Sequence, residues 1–199
     1  MSATQAFPFG CVVLAAGAGT RFGEPKAGAL VRDGVRFIDA VVETARLAGA
    51  DPIVVVVPPG FTAPAGVRAV VNPDAAGEQI KSLRLGLGQL TNSTVTGALV
   101  WPVDHPFVRL ESVLAVVDSA KRTAAPIVIP VYDGKRGHPA WFVRDTWREL
   151  VTVAEGGART VVRAYGPRVM DVLVTDAGVV RNVDTRADLA AAHAGDADG

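Results

Sequence analysis

The run Ile53-Val-Val-Val-Val57 constrains this chain more than any other feature. Five β-branched apolar residues in succession have no single helical stripe and no in–out alternation. They suit a strand that is covered on both faces. Similar runs occupy 10–14, 98–103 and 127–131, with weaker ones at 67–71 and 171–174. Between them the periodicity turns helical. Over 37–48 it places Ile38, Val41, Val42 and Ala45 on one stripe. Further helices are predicted at 82–90, 110–121, 146–153, 160–165 and 186–192. The alternation predicts a three-layer, Rossmann-like α/β fold: a mainly parallel sheet with helices on both faces. Asp33-Gly34 and Asp133-Gly134 are tight-turn signals, each followed by residues able to return as a strand.

At 199 residues the chain is expected to form one domain over 1–199, with about 1–8 and 194–199 flexible. Twenty basic and twenty acidic residues cancel, so neither nucleic acid nor an anionic membrane is expected as a bulk partner. Any anion must be recognised locally. Cys11 has no partner for an intramolecular disulfide and reads as a buried, inert thiol, which fits a reducing compartment. The first residues lack a basic segment leading into a signal core, and no apolar run approaches the roughly 18 residues of a membrane span. A cytoplasmic location is therefore expected.

The first strand runs into Leu14-Ala-Ala-Gly-Ala-Gly-Thr-Arg-Phe-Gly-Glu-Pro-Lys26. A glycine-rich turn at the end of such a strand gathers backbone N–H groups around phosphate. Arg21 and Lys26 add full positive charge, one as a planar fork and one as a mobile point charge. The spacing of Gly17, Gly19 and Gly23 also fits some dinucleotide-binding turns. The next strand, however, ends in Pro58-Pro59-Gly60 instead of the ribose-binding acid such folds use. A P-loop would require Ser or Thr after the lysine, where this chain has Ala27.

Two aspartates stand out downstream. Asp104 follows the apolar strand of 98–103 and precedes His105-Pro106, so it should face the same crevice as the glycine loop. Asp184 lies just before Thr185 and Asp188, whose spacing resembles a capping box for the last helix. Two carboxylates are enough for Mg²⁺, which takes its remaining ligands from phosphate and water. His138, in Gly134-Lys-Arg-Gly-His-Pro-Ala-Trp-Phe142, reads from its residues alone as an ordinary exposed loop histidine. Arg159 reads as a surface arginine, Ser82 as a cap for the helix that follows it, and His105 as a hydrogen-bonding neighbour of the site.

The pattern Leu14-Ala-Ala-Gly-x-Gly-x-Arg-x-Gly-x-Pro-Lys26 resembles the signature of the NTP-transferase superfamily. Its members include sugar-phosphate nucleotidyltransferases, methylerythritol-phosphate cytidylyltransferase and the MobA-like guanylyl- and cytidylyltransferases of the molybdenum cofactor. The resemblance implies that the loop, from Leu14, Ala15, Ala16, Gly17 and Gly19 to Arg21 and Lys26, wraps a nucleoside triphosphate. It implies that Arg21 and Lys26 contact the phosphates, and that Asp104 and Asp184 hold Mg²⁺, for which Mn²⁺ could substitute. Arg186 replaces the usual proline of the segment around Asp184, without removing a ligand. Gly77-Glu-Gln-Ile-Lys-Ser82-Leu is similar to a family segment near the base, with Glu78 where glycine is usual. His138 and the Gly-Gly-Ala-Arg159 segment resemble the acceptor side of the molybdenum cofactor cytidylyltransferase branch.

That resemblance implies attack by an acceptor phosphate on the α-phosphorus of an NTP, with pyrophosphate leaving. CTP and molybdopterin are the expected substrates, since this branch has Ala-Ala-Gly where the guanylyl branch commonly has Ala-Gly-Gly. A molybdoenzyme or its chaperone would then be a protein partner. Alternatives are GTP with the same acceptor, CTP with a sugar or polyol phosphate, a nucleotide-binding module without catalysis, and a dinucleotide-dependent reductase.

Overall fold

The computed structural model describes residues 7–17, 26–32, 34–74, 79–154 and 156–196; Gly19, Arg21, Gly23, Gly77 and Glu78 lie outside this set. Strand β1 (Phe9–Leu14) is followed by the small hairpin β2 (Leu30–Arg32) and β3 (Val35–Arg36), then helix α1 (Phe37–Leu47). Next come β4 (Ile53–Val57), β5 (Arg68–Val71), α2 (Gln79–Leu90), β6 (Gly97–Pro102) and α3 (Leu110–Thr123). The C-terminal half contains β7 (Ile127–Tyr132), β8 (Lys135–Arg136), β9 (Ala140–Val143), α4 (Trp147–Thr152), α5 (Gly157–Tyr165), β10 (Val169–Leu173) and α6 (Arg186–Asp196).

The main sheet runs β10-β7-β9-β6-β1-β4-β5, with β8 paired to β7. Its β1, β4, β5 and β6 pair in parallel, as do β7 and β10, while β9 is antiparallel to both β6 and β7. Successive strand residues face opposite cores. Cys11, Val13, Val55 and Trp101 pack under α1 and α3, while Val12, Leu14, Val56 and Val100 pack under α2, α4 and α5. This is why the central strands β1, β4, β6 and β7 are apolar almost throughout, whereas the edge strands β5 and β10 are largely exposed and carry Arg68 and Asp171, and it yields the expected three layers. Cys11 is fully buried, and burial pushes its thiol well above the ordinary range.

Strands β2 and β3 pair as a hairpin, as do β7 and β8; Asp33 lies outside the described residues. Gly34 has φ 79°, and Asp133 and Gly134 have φ 48° and 70°, the positive pair that a tight two-residue turn requires. Helix α2 approaches the sheet at Gly86, where an added Cβ would fall 2.3 Å from Val12 Cγ1 and 3.2 Å from Val56 Cγ2. Gly86→Val should therefore destabilise the fold by about 2–3 kcal/mol, lowering Tm by roughly 5–10 °C in a chain of this size. A thermal melt checks it.

Candidate functional site

Topology locates the site. From β1 the chain moves outward through β4 to β5, then returns to place β6 on the other side of β1. At such a reversal the segments leaving two neighbouring strands diverge and open a crevice at their carboxyl ends. Here Leu14 is in register with Pro102, and Val103 N–H donates to Leu14 O at 3.1 Å. The glycine loop and Asp104 thus leave the sheet side by side.

The segment carrying Asp184 is attached to the same place by main chain. Val183 N–H donates to Asp104 O at 2.8 Å. The capping box then fixes the direction of the chain. Asp188 Oδ2 accepts from Thr185 N–H (2.7 Å), Thr185 Oγ1 (2.9 Å) and Asp184 N–H (3.0 Å), while Asp188 N–H donates to Thr185 Oγ1 (3.1 Å). These bonds, led by those from Thr185, hold the Asp188 carboxyl below its usual range. Asp184 Oδ2 also accepts from Asn182 Nδ2 at 2.8 Å.

Lys26 opens a 3₁₀ turn, Lys26–Gly28, anchored by buried Ala27. Its ammonium lies between the two carboxylates, pairing with Asp104 Oδ2 at 3.4 Å and with Asp184 Oδ1. The three residues are 78 and 158 positions apart in sequence and share one point in space. Asp104 Oδ1 is buried without a hydrogen-bond partner. A carboxylate oxygen left in this way, with a second carboxylate across one cation, fits a hard divalent ion that takes oxygen ligands. No group of three or more His, Cys, Asp or Glu suited to a metal occurs among the described residues, so such an ion would draw on these two aspartates and on its substrate.

His138 corrects the residue-level expectation of an exposed loop histidine. Gly137 N–H donates to Pro130 O (2.8 Å) and His138 N–H to Val179 O (2.7 Å), which turns the β8–β9 connection inward. The imidazole packs 4.8 Å from that of His105, and His105 Nε2 lies 3.9 Å from Asp104 Oδ1. Both rings have a buried, unpartnered Nδ1. Burial lowers the His105 pKa, against the pull of Asp104. For His138, burial first, then His105 and Arg159, bring it down to about 3.

Because His138 is neutral when folded but titrates near 6.5 when unfolded, the unfolded chain binds the extra proton between these values. Stability from this group is complete above about pH 6.5 and declines as pH falls towards 3. At pH 5 the loss is on the order of 1–2 kcal/mol. His138→Gln should flatten that part of a denaturant-midpoint profile against pH.

His138 and Arg159 line one cleft of about 550 Å³, together with Leu14, Ile80, Val100 and Phe142. The remaining expected residues are placed differently. Ala15 and Ala16 are buried in opposite cores, and neither is among the residues lining this cleft. Ser82 lies inside α2 rather than at its cap, buried, with its Oγ accepting from Asn72 Nδ2 at 3.0 Å. Asp176 was not anticipated. It is buried and accepts from Gly178 N–H, Arg109 N–H and Ser112 Oγ at 2.8–2.9 Å, joining the start of α3 to the turn that supports His138. The Asp176-Ala-Gly178 turn pattern was its only sequence signal.

Solved structures share this architecture. Rv0371c from Mycobacterium tuberculosis H37Rv is 28% identical, with a TM-score of 0.81, covering 94% of this chain and 98% of its own. A structure of Rv0371c in complex with manganese is 27% identical, with a TM-score of 0.74, covering 92% and 97%. The 2-C-methyl-D-erythritol 4-phosphate cytidylyltransferase of Thermus thermophilus has the same fold at 20% identity and a TM-score of 0.68, covering 94% and 98%. No curated protein matches. The family model described as the MobA-like NTP transferase domain matches residues 11–169, from β1 through Lys26, Asp104, His138 and Arg159, and the chain belongs to that family of nucleotidyltransferases.

Proposed function

We propose that this protein transfers CMP from CTP to the phosphate of molybdopterin or a closely related phosphorylated acceptor, releasing pyrophosphate. The observation that carries the reading is the convergence of Lys26, Asp104 and Asp184 beside the glycine loop, at the reversal of strand order. An acceptor phosphate is largely ionised at neutral pH, because its second pKa is near 6. It needs no activating base; the main barrier is the approach of two anions while charge builds on the leaving pyrophosphate.

Asp104 and Asp184 would hold Mg²⁺, or Mn²⁺ in its place, and the metal would supply positive charge to the phosphates when bound. The manganese complex of Rv0371c supports this choice of ion. Lys26, poised between the carboxylates, can exchange those partners for phosphate oxygens, and Arg21 serves the same triphosphate. Leu14, Ala15, Ala16, Gly17 and Gly19 form the nucleotide side. Ala16 belongs to the same apolar cluster as Leu14, so its methyl bears on the base pocket through that side chain. Ser82 would act indirectly as well, by holding Asn72 at the end of β5. His138 and Arg159 form the acceptor side.

A thermal-shift screen of the four ribonucleoside triphosphates with Mg²⁺ should show the largest stabilisation with CTP. At a hundred times Kd the ligand contributes about 2.7 kcal/mol, a shift of roughly 5–10 °C. A larger shift with GTP would replace the cytidylyl reading with the guanylyl one.

A further inference from the structure

Two arginines of one helix line the same cleft. Arg159 and Arg163 sit four residues apart on α5, and both line the cleft, with Val162 between them. Like charges at this spacing face the same way and repel. Neither has an ion-pair partner among the described residues, and no described carboxylate lines the cleft. Arg136, the third arginine at the rim, differs in being committed to Asp171, with Nε–Oδ1 2.8 Å and Nη2–Oδ2 3.1 Å. Ile80, Leu83, Ile129 and Phe142 supply an apolar part of the cleft wall. His138 adds a buried, unpartnered Nδ1.

Two uncompensated guanidinium groups over an apolar wall match a ligand with a phosphate at one end and a flat, weakly polar body at the other. We propose that Arg163, together with Arg159, clamps the phosphate of the acceptor, and that the apolar wall selects acceptors with a planar ring over sugar or polyol phosphates. This rests on the nucleotidyltransferase reading for the identity of the acceptor, but the binding itself needs neither NTP nor metal. Arg163 is exposed, so its replacement should leave the fold intact.

Phenyl phosphate, which joins a flat ring to a phosphate monoester, is the probe, with glycerol phosphate and inorganic phosphate beside it. Calorimetric titration without NTP or metal should show phenyl phosphate binding more tightly than either of the others. Arg163→Gln and Arg159→Gln should each weaken it about tenfold or more, as loss of a charge-assisted phosphate contact does. Arg136→Gln should leave it within about twofold. Undiminished phenyl phosphate binding in Arg163→Gln would overturn the clamp, as would a loss of CTP affinity in that variant without loss of phenyl phosphate. Equal binding of glycerol phosphate would overturn the selectivity. Failure of the nucleotidyltransferase reading would appear elsewhere, as wild-type protein that binds phenyl phosphate but no NTP.

Discussion

Asp104→Ala is expected to lower turnover by about a hundredfold or more, the size of effect that deleting one preorganised electrostatic group produces. The substitution removes an oxygen that is buried and unpartnered, and one of the two carboxylates facing the Lys26 ammonium. It leaves strand β6 and its main-chain link to Val183 untouched, so the protein should melt close to wild type. Lys26→Ala should cost a similar factor for a different reason. The two carboxylates lose the ammonium between them, and the triphosphate loses a mobile cation. Pyrophosphate release under saturating NTP measures both. Near-normal rates in either variant would remove that residue from the chemistry.

The largest stability effect should come from Asp176→Ala, a residue with no proposed contact to substrate. Three donors converge on its carboxylate, and two of them, Arg109 N–H and Ser112 Oγ, belong to the start of α3. The site is too enclosed for water to replace the carboxylate fully. Leaving such donors unmatched costs roughly 1–3 kcal/mol each, less than additively, so a total of about 3–4 kcal/mol is expected. Tm should fall by roughly 10 °C at this chain length. Asp176→Asn, which keeps an acceptor oxygen, should recover part of the loss. Activity should suffer through His138, whose N–H donates to Val179 O just beyond the Asp176 turn.

The central strands could be read from the sequence because burial on both faces leaves no room for polar residues, while the exposed edge strands β5 and β10 gave only weak runs. Ile53–Val57 was bounded to the residue, and β6 and β7 to within one. Helix α5 was expected from 160 but starts at Gly157, since two glycines at its entry, both with positive φ, hide the helical pattern. The insertion of β9 between β6 and β7 was not legible, because strand order is set by long-range pairing rather than by local composition. At the site, Asp104 could be placed from its position at a strand end. That it meets Asp184 and Lys26 depends on the Val183–Asp104 main-chain bond, which no side-chain pattern announces. His138 was misjudged for the same reason. Glycine and lysine around it suggested solvent, while its enclosure comes from Val179, 41 residues on.

The most direct measurement is pyrophosphate release by wild-type protein given CTP, molybdopterin and Mg²⁺, repeated with a chelator and with Asp104→Asn and Asp184→Asn. Release should require both acceptor and metal, stop on chelation, and fall by about a hundredfold or more in each variant. Release that persists in the chelator, or at wild-type rates in both variants, would contradict a metal-dependent transfer centred on Lys26, Asp104 and Asp184.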